Sequence, residues 1–362
     1  MVCIDIKADH GALFDGFTDD TVAWKSAVAD WKATGREIVC PVGRSVVSDT
    51  ILFDNIGTKQ FSQGPRIHAP GPLSSYLIGK GMSNKPVIKI DGRNPSVTAH
   101  PTYFGATRIE GLGIEQEDCT NCDGLDYQST WHTTFEEIHM RGLSGRGYFA
   151  RNPQYGVGSE VGDNNASAHV DILQSRVTDC AGPAWSSAGS YGGVTNHALK
   201  QFYSMNNAHS FGEGQIDNDG ALHFEMANCY VGAFNNVNRP LVKLRSSHVI
   251  PDQVVIKGGE YGNGGGTHFD VDTVTGFNVM SIRQVRRFGE TAARYGFLLR
   301  NATGLIRNFN FLDILLNVDN VAYDSAPFTW MKKTGPSPLE AVHFGYSPAL
   351  NNAPGVVPYE GF

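Results

Sequence analysis

At 362 residues the chain is longer than the usual single compact domain, so it holds either two domains or one elongated repeat architecture. Glycine is frequent, with 42 residues, and charged residues make up only 18%, which indicates many tight turns and an uncharged polar surface suited to sugar hydroxyls. The net charge of −7 and the lack of lysine or arginine runs argue against a nucleic-acid partner, and no apolar stretch is long enough to predict membrane insertion.

A single helix is predicted near the start of the chain, over residues 19–33. Residues whose side chains can cap its free N–H groups stand at its N-terminal end: Thr18, Asp19 and Asp20. Apolar residues then follow with the i, i+3, i+4, i+7 spacing of one helical face: Trp24, Ala27, Val28 and Trp31. Gly35 supplies a C-terminal stop, because glycine readily adopts the left-handed conformation that ends many helices.

From about residue 85 onward, short apolar segments alternate with Gly, Asn and Asp, a pattern typical of strands joined by turns. Seven of these segments begin at the following apolar residues: Phe135, Val170, Leu199, Leu222, Val254, Phe277 and Leu305. Their mean spacing of about 28 residues is typical of solenoids, in which each coil buries its apolar residues on its neighbours. An antiparallel sandwich is the alternative, but it favours turns every 8–12 residues or so and hairpin dipeptides, which are rare here.

The first fifty residues carry a specific motif. A strand is followed by Gly-Ala-x-x-Asp-Gly-x-Thr-Asp-Asp-Thr, then by the helix and a Pro-x-Gly turn. The motif residues are Gly11, Ala12, Asp15, Gly16, Thr18, Asp19, Asp20, Thr21, Pro41 and Gly43. This pattern resembles the opening of the pectate-lyase-like β-helix superfamily, which includes phage tailspikes, capsule depolymerases, polygalacturonases and pectate and alginate lyases. The resemblance implies an all-β, single-stranded right-handed parallel β-helix with an N-terminal capping α-helix, and a carbohydrate ligand.

The expected domain organisation follows from the same resemblance. Residues 1–50 form the cap of the β-helix, residues 51–325 form its coils, and residues 326–362 form a C-terminal extension packing on the solenoid. Tailspike relatives are typically trimers, so a homotrimer is an expectation that rests on the resemblance alone. No basic region followed by an apolar stretch opens the chain, so no signal peptide is predicted, and the resemblance implies a secreted, extracellular or virion-associated protein.

Acids and bases are concentrated on the middle coils. Side chains on a strand alternate between its faces, which predicts these outward residues: His223 and Glu225, Lys243 and Arg245, and Asp270 and Asp272. Leu244 and Val271 are about one repeat apart. Lys243 and Arg245 are therefore expected roughly 5 Å from Asp270 and Asp272. Further acids are expected in an adjoining loop: Glu213, Asp217 and Asp219. A long glycan needs an extended groove, and the flank of a solenoid offers one.

Glycoside hydrolysis needs two carboxyl groups, one protonated as the acid and one ionised as base or nucleophile. Crowded acids can separate these roles, because their mutual repulsion raises one pKa. The candidate catalytic residues are therefore Asp217, Asp219 and Glu225. The candidate substrate-binding residues are Glu213, His223, Lys243, Arg245, Asp270, Asp272, Trp185 and Tyr191. For any single acid, the alternative is that it only solvates the coil or caps a turn.

Trp185 and Tyr191 lie in a Gly/Ser-rich segment predicted to be a loop. Their rings could stack on sugar faces, or Trp185 could simply pack beneath the loop. Asp217, Asn218 and Asp219 offer oxygen ligands for calcium, but they lack a full calcium-loop pattern. We therefore expect no cofactor and no metal.

Elimination from a uronate-containing glycan is the alternative reaction. It needs a base for the proton next to the carboxylate and a cation that neutralises the carboxylate. Lys243 and Arg245, alternating on one strand, could supply both, although they could equally form a surface ladder with neighbouring acids.

Three functions are therefore carried forward. The first is an endo-acting depolymerase of a bacterial capsular polysaccharide or exopolysaccharide, acting as a glycoside hydrolase. The second is a polysaccharide lyase on the same scaffold. The third is a non-catalytic glycan-binding tail or adhesin module. The patterns of polygalacturonases and alginate epimerases are absent, so the resemblance does not choose among these reactions.

Overall fold

Three parallel β-sheets make up most of the protein, and each coil of the chain contributes strands to them in turn. The computed structural model describes residues 3–56, 61–93, 103–151, 167–188, 194–208, 213–233, 239–245, 250–262, 266–272, 274–286, 293–300, 307–312, 315–318, 328–334, 340–344 and 356–360. The strand pairs within these ranges are parallel, so each sheet is a ladder of strands from successive coils.

The strands are numbered β1 to β36 along the chain. The first sheet contains β1 (Ile4–Asp5), β3 (Ile38–Val39), β6 (Phe61–Gln63), β7 (Arg66–His68), β10 (Tyr103–Gly105), β11 (Arg108–Glu110), β14 (Thr130–Glu136), β17 (Ser167–Leu173), β20 (Val194–Lys200), β23 (Leu222–Ala227), β26 (Asp252–Lys257), β29 (Thr275–Met280), β32 (Arg307–Leu312) and β35 (Glu340–Phe344). The second sheet contains β2 (Asp15–Asp19), β4 (Gly43–Val47), β8 (Ser75–Lys80), β12 (Gly113–Glu117), β15 (His139–Arg141), β18 (Arg176–Thr178), β21 (Tyr203–Met205), β24 (Tyr230–Gly232), β27 (Glu260–Gly262), β30 (Arg283–Arg286) and β33 (Leu315–Val318). The third sheet contains β5 (Ile51–Asp54), β9 (Ile88–Asp91), β13 (Leu125–Gln128), β16 (Tyr148–Arg151), β19 (Trp185–Ala188), β22 (Ile216–Asp219), β25 (Val242–Arg245), β28 (Gly266–Val271), β31 (Ala293–Leu299), β34 (Phe328–Lys333) and β36 (Val356–Glu360).

The interior is filled by side chains stacked in register from coil to coil. One inward ladder on the third sheet is fully buried: Leu125, Tyr148, Trp185, Ile216, Val242, Phe269 and Phe297. Each such residue packs on the equivalent residue of the coils before and after it, so burial is continuous along the axis. The prediction of an all-β parallel β-helix is confirmed.

Helix α1 (Thr21–Thr34) covers the N-terminal end of the stack. Its predicted apolar face is buried, and the Trp31 ring meets Phe53 edge-on with centroids 5.2 Å apart. Gly35 ends the helix with φ of 68°, and its N–H donates to the Trp31 carbonyl at 2.7 Å, as predicted. Asp20 holds the N-cap position, but its carboxylate accepts the Leu13 N–H at 2.8 Å rather than a helix N–H. Asp20, the last aspartate of the motif, therefore connects the preceding turn to the start of the helix.

The sheets extend into the last part of the chain. Strands β34, β35 and β36 pair in parallel with β31, β32 and β34, within the segment 326–362 for which an extension packed on the solenoid was expected. In the described ranges, no helix has the length and hydropathy needed to cross a membrane.

Candidate active site

The outward residues of the third sheet form two columns along the β-helix axis. In the first column, Asp217 pairs with Lys243, and Lys243 pairs with Asp270 on the following coil. In the second column, Asp219 pairs with Arg245. The predicted one-coil relation between the Lys243 strand and the Asp270 strand is thereby confirmed. The columns place acids and bases alternately about 4.8 Å apart.

Three carboxyl groups converge on the Arg245 guanidinium. Its Nε donates to Asp217 Oδ1 at 2.8 Å and its Nη2 donates to Asp217 Oδ2 at 3.1 Å, a bidentate pair. Glu213 Oε1 lies 3.3 Å from Nη2, and Asp219 Oδ2 lies 3.8 Å from Nε. One cation is thus shared among three acids, and Lys243 supplies a second positive charge in the neighbouring column.

Asp217 differs from an ordinary surface aspartate in its environment. Its side chain is fully buried, and burial raises its pKa to about 6, although the Arg245 charge acts in the opposite direction. The nearby Glu213 raises this pKa further, because two carboxylates repel each other. A carboxyl group with this pKa is protonated in a substantial fraction of molecules at weakly acidic pH, as a general acid must be.

The same Asp–Arg arrangement recurs on two other coils. Arg151 Nε contacts Asp126 at 2.5 Å, and Arg300 Nε contacts Asp270 at 2.7 Å, again across one coil and two residues along the strand. The repetition shows that the diagonal pair by itself is a structural device of this sheet. Within the described ranges, only Arg245 is shared by three carboxyl groups. The two additional acids therefore distinguish the Asp217 site.

Asp272 lies on the same outer face, directly after β28. Hydrogen bonds from Arg300 to Asp270 raise the pKa of that arginine, although its partial burial lowers it, and the Asp272 charge raises it further. Asp270 and Asp272 therefore continue the charged surface by one coil beyond Lys243, and Arg300 continues it by a second coil.

The prediction that Glu225 shares a face with Lys243 and Arg245 is wrong. Glu225 lies on β23 in the first sheet, where its Oε1 contacts Lys257 Nζ at 2.6 Å, and exposed His223 lies on the same strand. Two residues between β22 and β23 turn the chain from the third sheet to the first, and the alternation of side chains gives no sign of this corner. Asp217 and Asp219, expected in a loop, lie on strand β22 instead.

Trp185 is not available to a sugar. It belongs to β19, its side chain is fully buried, and its Nε1 donates to Tyr127 Oη at 3.1 Å. Its ring stacks on Phe224 with centroids 4.6 Å apart. The packing interpretation of Trp185 is therefore correct and the substrate-binding one is wrong, whereas Tyr191 lies outside the described residues.

The calcium possibility does not fit the geometry. Asn218 lies between Asp217 and Asp219 on the strand, and its Oδ1 accepts the Ala221 N–H at 2.8 Å. Successive side chains of a strand point to opposite faces, so these three do not converge on one ion. Among the residues that the structure describes, no cluster of three or more His, Cys, Asp or Glu side chains is arranged to hold a metal ion.

A cleft on the second sheet was missed by the sequence reasoning. It has a volume of about 350 Å³ and its lining includes Tyr76, His139 and Arg176. Strands β15 and β18 are only three residues long, too short to show a clear alternation. The signal that could have found the cleft is the recurrence of aromatic and cationic residues at one repeat position.

No protein-family model and no curated protein matches the sequence. Among solved structures, ORF18 of Geobacillus virus E2 is similar with 14% identity and a TM-score of 0.54, over 96% of this chain and 60% of that chain. The A-module of mannuronan C-5 epimerase AlgE4 from Azotobacter vinelandii gives 11% identity and a TM-score of 0.52, over 95% and 98% of the two chains. The surface protein and adhesin PfbA of Streptococcus pneumoniae gives 10% identity and a TM-score of 0.50, over 99% of each chain.

These identities are low, so the similarity concerns the fold alone. The chain spans 60% of the length of the Geobacillus virus protein but nearly the whole epimerase module and adhesin. Together with the stacked parallel sheets and the capping helix, the comparisons identify the fold of the chain as a right-handed parallel β-helix.

Proposed function

We propose that the protein is an endo-acting polysaccharide depolymerase that hydrolyses a bacterial capsular polysaccharide or exopolysaccharide on the outer face of the third sheet. The observation that carries the proposal is the group of Asp217, Asp219 and Glu213 around one arginine, with the pKa of Asp217 raised to about 6 by burial. Hydrolysis requires one protonated and one ionised carboxyl group, and this group offers both.

In this proposal Asp217 is the general acid, and Asp219 or Glu213 is the base or nucleophile. Oxygen atoms of Asp217 and Asp219 both lie within 3.8 Å of Arg245 Nε, so the two carboxyl groups are separated by about 7 Å at most. Glycosidases place their two carboxyl groups about 5 to 9.5 Å apart. Substrate reaches Asp217 only if the Arg245 side chain, which is 32% exposed, swings away from it.

The fold comparisons support a glycan ligand and a site of action outside the cell. One similar structure belongs to a virus and another is an epimerase module named for mannuronan, which is a polysaccharide. We extend these likenesses to a secreted or virion-associated enzyme that acts on a surface glycan. The same proposal includes a homotrimer. A measurement of the mass of the protein in solution tests this oligomeric state.

The test is the release of reducing ends across a panel of bacterial and plant polysaccharides. On a substrate that is cleaved, Asp217→Asn is expected to lower turnover by about 10² to 10⁴-fold, the usual contribution of a general acid. Activity of the wild type is expected to fall as the pH rises through about 6, because Asp217 then loses its proton. Products are expected to be saturated sugars.

Asp126→Asn is the matched control, because Asp126 forms the same diagonal pair with Arg151 three coils away on the same sheet. Glu225→Gln is a second control on a different sheet. Both variants are expected to keep wild-type turnover. Equal losses in Asp217→Asn and Asp126→Asn would show that the pair is only structural and would contradict the proposed acid.

Elimination is the second candidate reaction, and the outward placement of Lys243 and Arg245 on one strand, β25, favours it, because the two could serve as base and neutralising cation. Arg245 would then neutralise the uronate carboxylate after release from Asp217. Products that carry the ultraviolet absorbance of an unsaturated uronate would identify this reaction, and Lys243→Ala would then abolish turnover. In the hydrolytic proposal, the same variant mainly weakens substrate binding.

A non-catalytic glycan-binding module is the third candidate, and full burial of Asp217 together with the similarity to an adhesin over 99% of both chains favours it. In that case a polysaccharide binds without any release of reducing ends or unsaturated product. Replacement of any single acid would then have no effect on activity, because no reaction depends on it.

A further inference from the structure

The outer face of the second sheet carries a cleft that is separate from the charged columns of the third sheet. Its volume is about 350 Å³, within the range of about 300 to 1,000 Å³ that is usual for small-ligand sites. Tyr76, His139 and Arg176 belong to one outward column of this sheet, which also includes Gly113 between Tyr76 and His139. The cleft therefore runs along the β-helix axis.

Gly113 leaves room for the ring of Tyr76, which lines this cleft. A Cβ atom at this position would lie 2.4 Å from Tyr76 Cδ1, so the tyrosine ring occupies space that any larger residue would need. The Tyr76 ring is half-buried, and the guanidinium of Arg44 lies 5.1 Å from its centroid on the preceding coil. The Tyr76 ring therefore forms an aromatic wall of the cleft, against which a sugar ring can pack.

The acidic side chains of the cleft have close polar partners, whereas its arginines are less fully paired with acids. Glu115 is held by Arg44 at 2.7 Å, and Asp179 accepts a hydrogen bond from Asn206 at 3.2 Å. Arg176, by contrast, makes no ion pair with any residue in the described ranges, and its guanidinium lies 4.6 Å from the centroid of the Tyr203 ring.

Arg141 extends the positive side of the cleft. Its side chain is 74% exposed and reaches Asp179 only at 3.8 Å. Burial and the charge of Arg176 together lower the pKa of His139, which places the imidazole within the electrostatic field of that arginine. Two guanidinium groups are thus presented to solvent in a chain whose net charge is −7.

We propose that this cleft is a second glycan-binding site that takes a carboxylate-bearing sugar residue, with Arg141 and Arg176 binding the carboxylate and Tyr76 packing against the ring. Arginine suits this role because its planar fork matches a carboxylate with two hydrogen bonds. The position of the cleft on another sheet makes it an anchoring site for an acidic glycan rather than part of the cleaving site. The inference does not depend on cleavage at the third sheet.

The test is isothermal titration calorimetry of the full chain carrying Asp217→Asn, so that no probe is hydrolysed. The probes are tetramers of galacturonate, guluronate and glucuronate, with maltotetraose as the neutral probe of equal length. At least one acidic tetramer is expected to bind more tightly than maltotetraose, with affinity that falls as salt is added. Arg176→Ala and Arg141→Ala are each expected to weaken that binding about tenfold or more.

Arg283→Ala is the matched control, because Arg283 occupies the same outward column four coils further on and pairs with Glu260 at 3.4 Å. It is expected to bind like the parent. Among the residues that the structure describes, Arg141 makes one ion pair, which is long, so we expect its removal to leave the fold intact and the test to hold even if Arg176→Ala is destabilised. The inference is overturned if no acidic tetramer binds better than maltotetraose, or if Arg141→Ala binds as tightly as the parent. Failure of hydrolysis at Asp217 would leave this measurement unaffected.

Discussion

His197 lies inside the β-helix, with its ring stacked on Tyr127 at a centroid distance of 5.8 Å. Its Nδ1 is 3.1 Å from the Thr195 carbonyl oxygen, and its Nε2 is buried without a hydrogen-bond partner in the described structure. Burial lowers its pKa from 6.5 to about 4, since an imidazolium in this apolar stack would lose its hydration. The ring is therefore neutral in the folded protein at physiological pH.

This burial predicts a specific loss of stability in acid. Above pH 6.5 the imidazole is neutral in both the folded and unfolded states, so it adds no pH dependence. As the pH falls from 6.5 towards 4, the unfolded state binds a proton that the folded state does not, and the free energy of unfolding decreases, by about 3 kcal/mol in all. His197→Phe is expected to remove this decrease, measured by urea unfolding at about pH 7 and pH 5. Equal pH dependence in wild type and variant would contradict the prediction.

At the scale of elements, helix α1 tests whether the N-terminal cap is required for the fold. Trp31 is 3% exposed on the buried face of the helix, whereas Val22 is 80% exposed on the other side. Trp31→Asp is expected to abolish soluble expression, because it places an unpaired charge among Phe53 and Phe104. Val22→Asp is expected to express normally, since its side chain stays in water. A soluble, folded Trp31→Asp protein would show that the cap is dispensable.

Much of the element pattern could be predicted because it follows from local periodicity. The helix has a repeat of 3.6 residues and a glycine stop, and strands β25 and β28 alternate clearly. The register between coils was harder to predict. The leading residues Val254 and Phe277 pair with each other, but the leading residue Leu199 pairs with Ile172 rather than with the leading residue Val170. A shift of two residues keeps every side chain on its face, so the sequence pattern cannot detect it. Leu305 lies outside the described residues.

The candidate site was predictable only where it follows the spacing of coils. The relation of Lys243 to Asp270 came from a repeat of 27 residues, which the register reproduces. The partnership of Arg245 with Asp217 depends on the approach of side chains across coils, and the misplacement of Glu225 depends on a short corner. Neither feature leaves a periodic signal, because corners change the sheet without changing the alternation.

At the scale of the whole molecule, the strands of residues 326–362 continue the stack of coils. Met331 pairs with Phe297 on one side and with Tyr359 on the other, and both Met331 and Phe297 are fully buried. In a stack, each coil gains stability from its nearest neighbours, so a buried residue near the end should matter as much as one in the middle.

Met331→Ala is therefore expected to lower the free energy of unfolding by about 2 to 5 kcal/mol, the range for a buried methionine replaced by alanine. Lys332→Ala is the control on the same strand, because Lys332 is only half-buried and a surface truncation usually changes stability by about 0.5 kcal/mol or less. Urea unfolding followed by circular dichroism measures both. If this coil belongs to the cooperative stack, the methionine variant unfolds in a single transition at lower urea. An unchanged midpoint, or a separate early transition of small amplitude, would show instead that the last coil is a loosely attached extension.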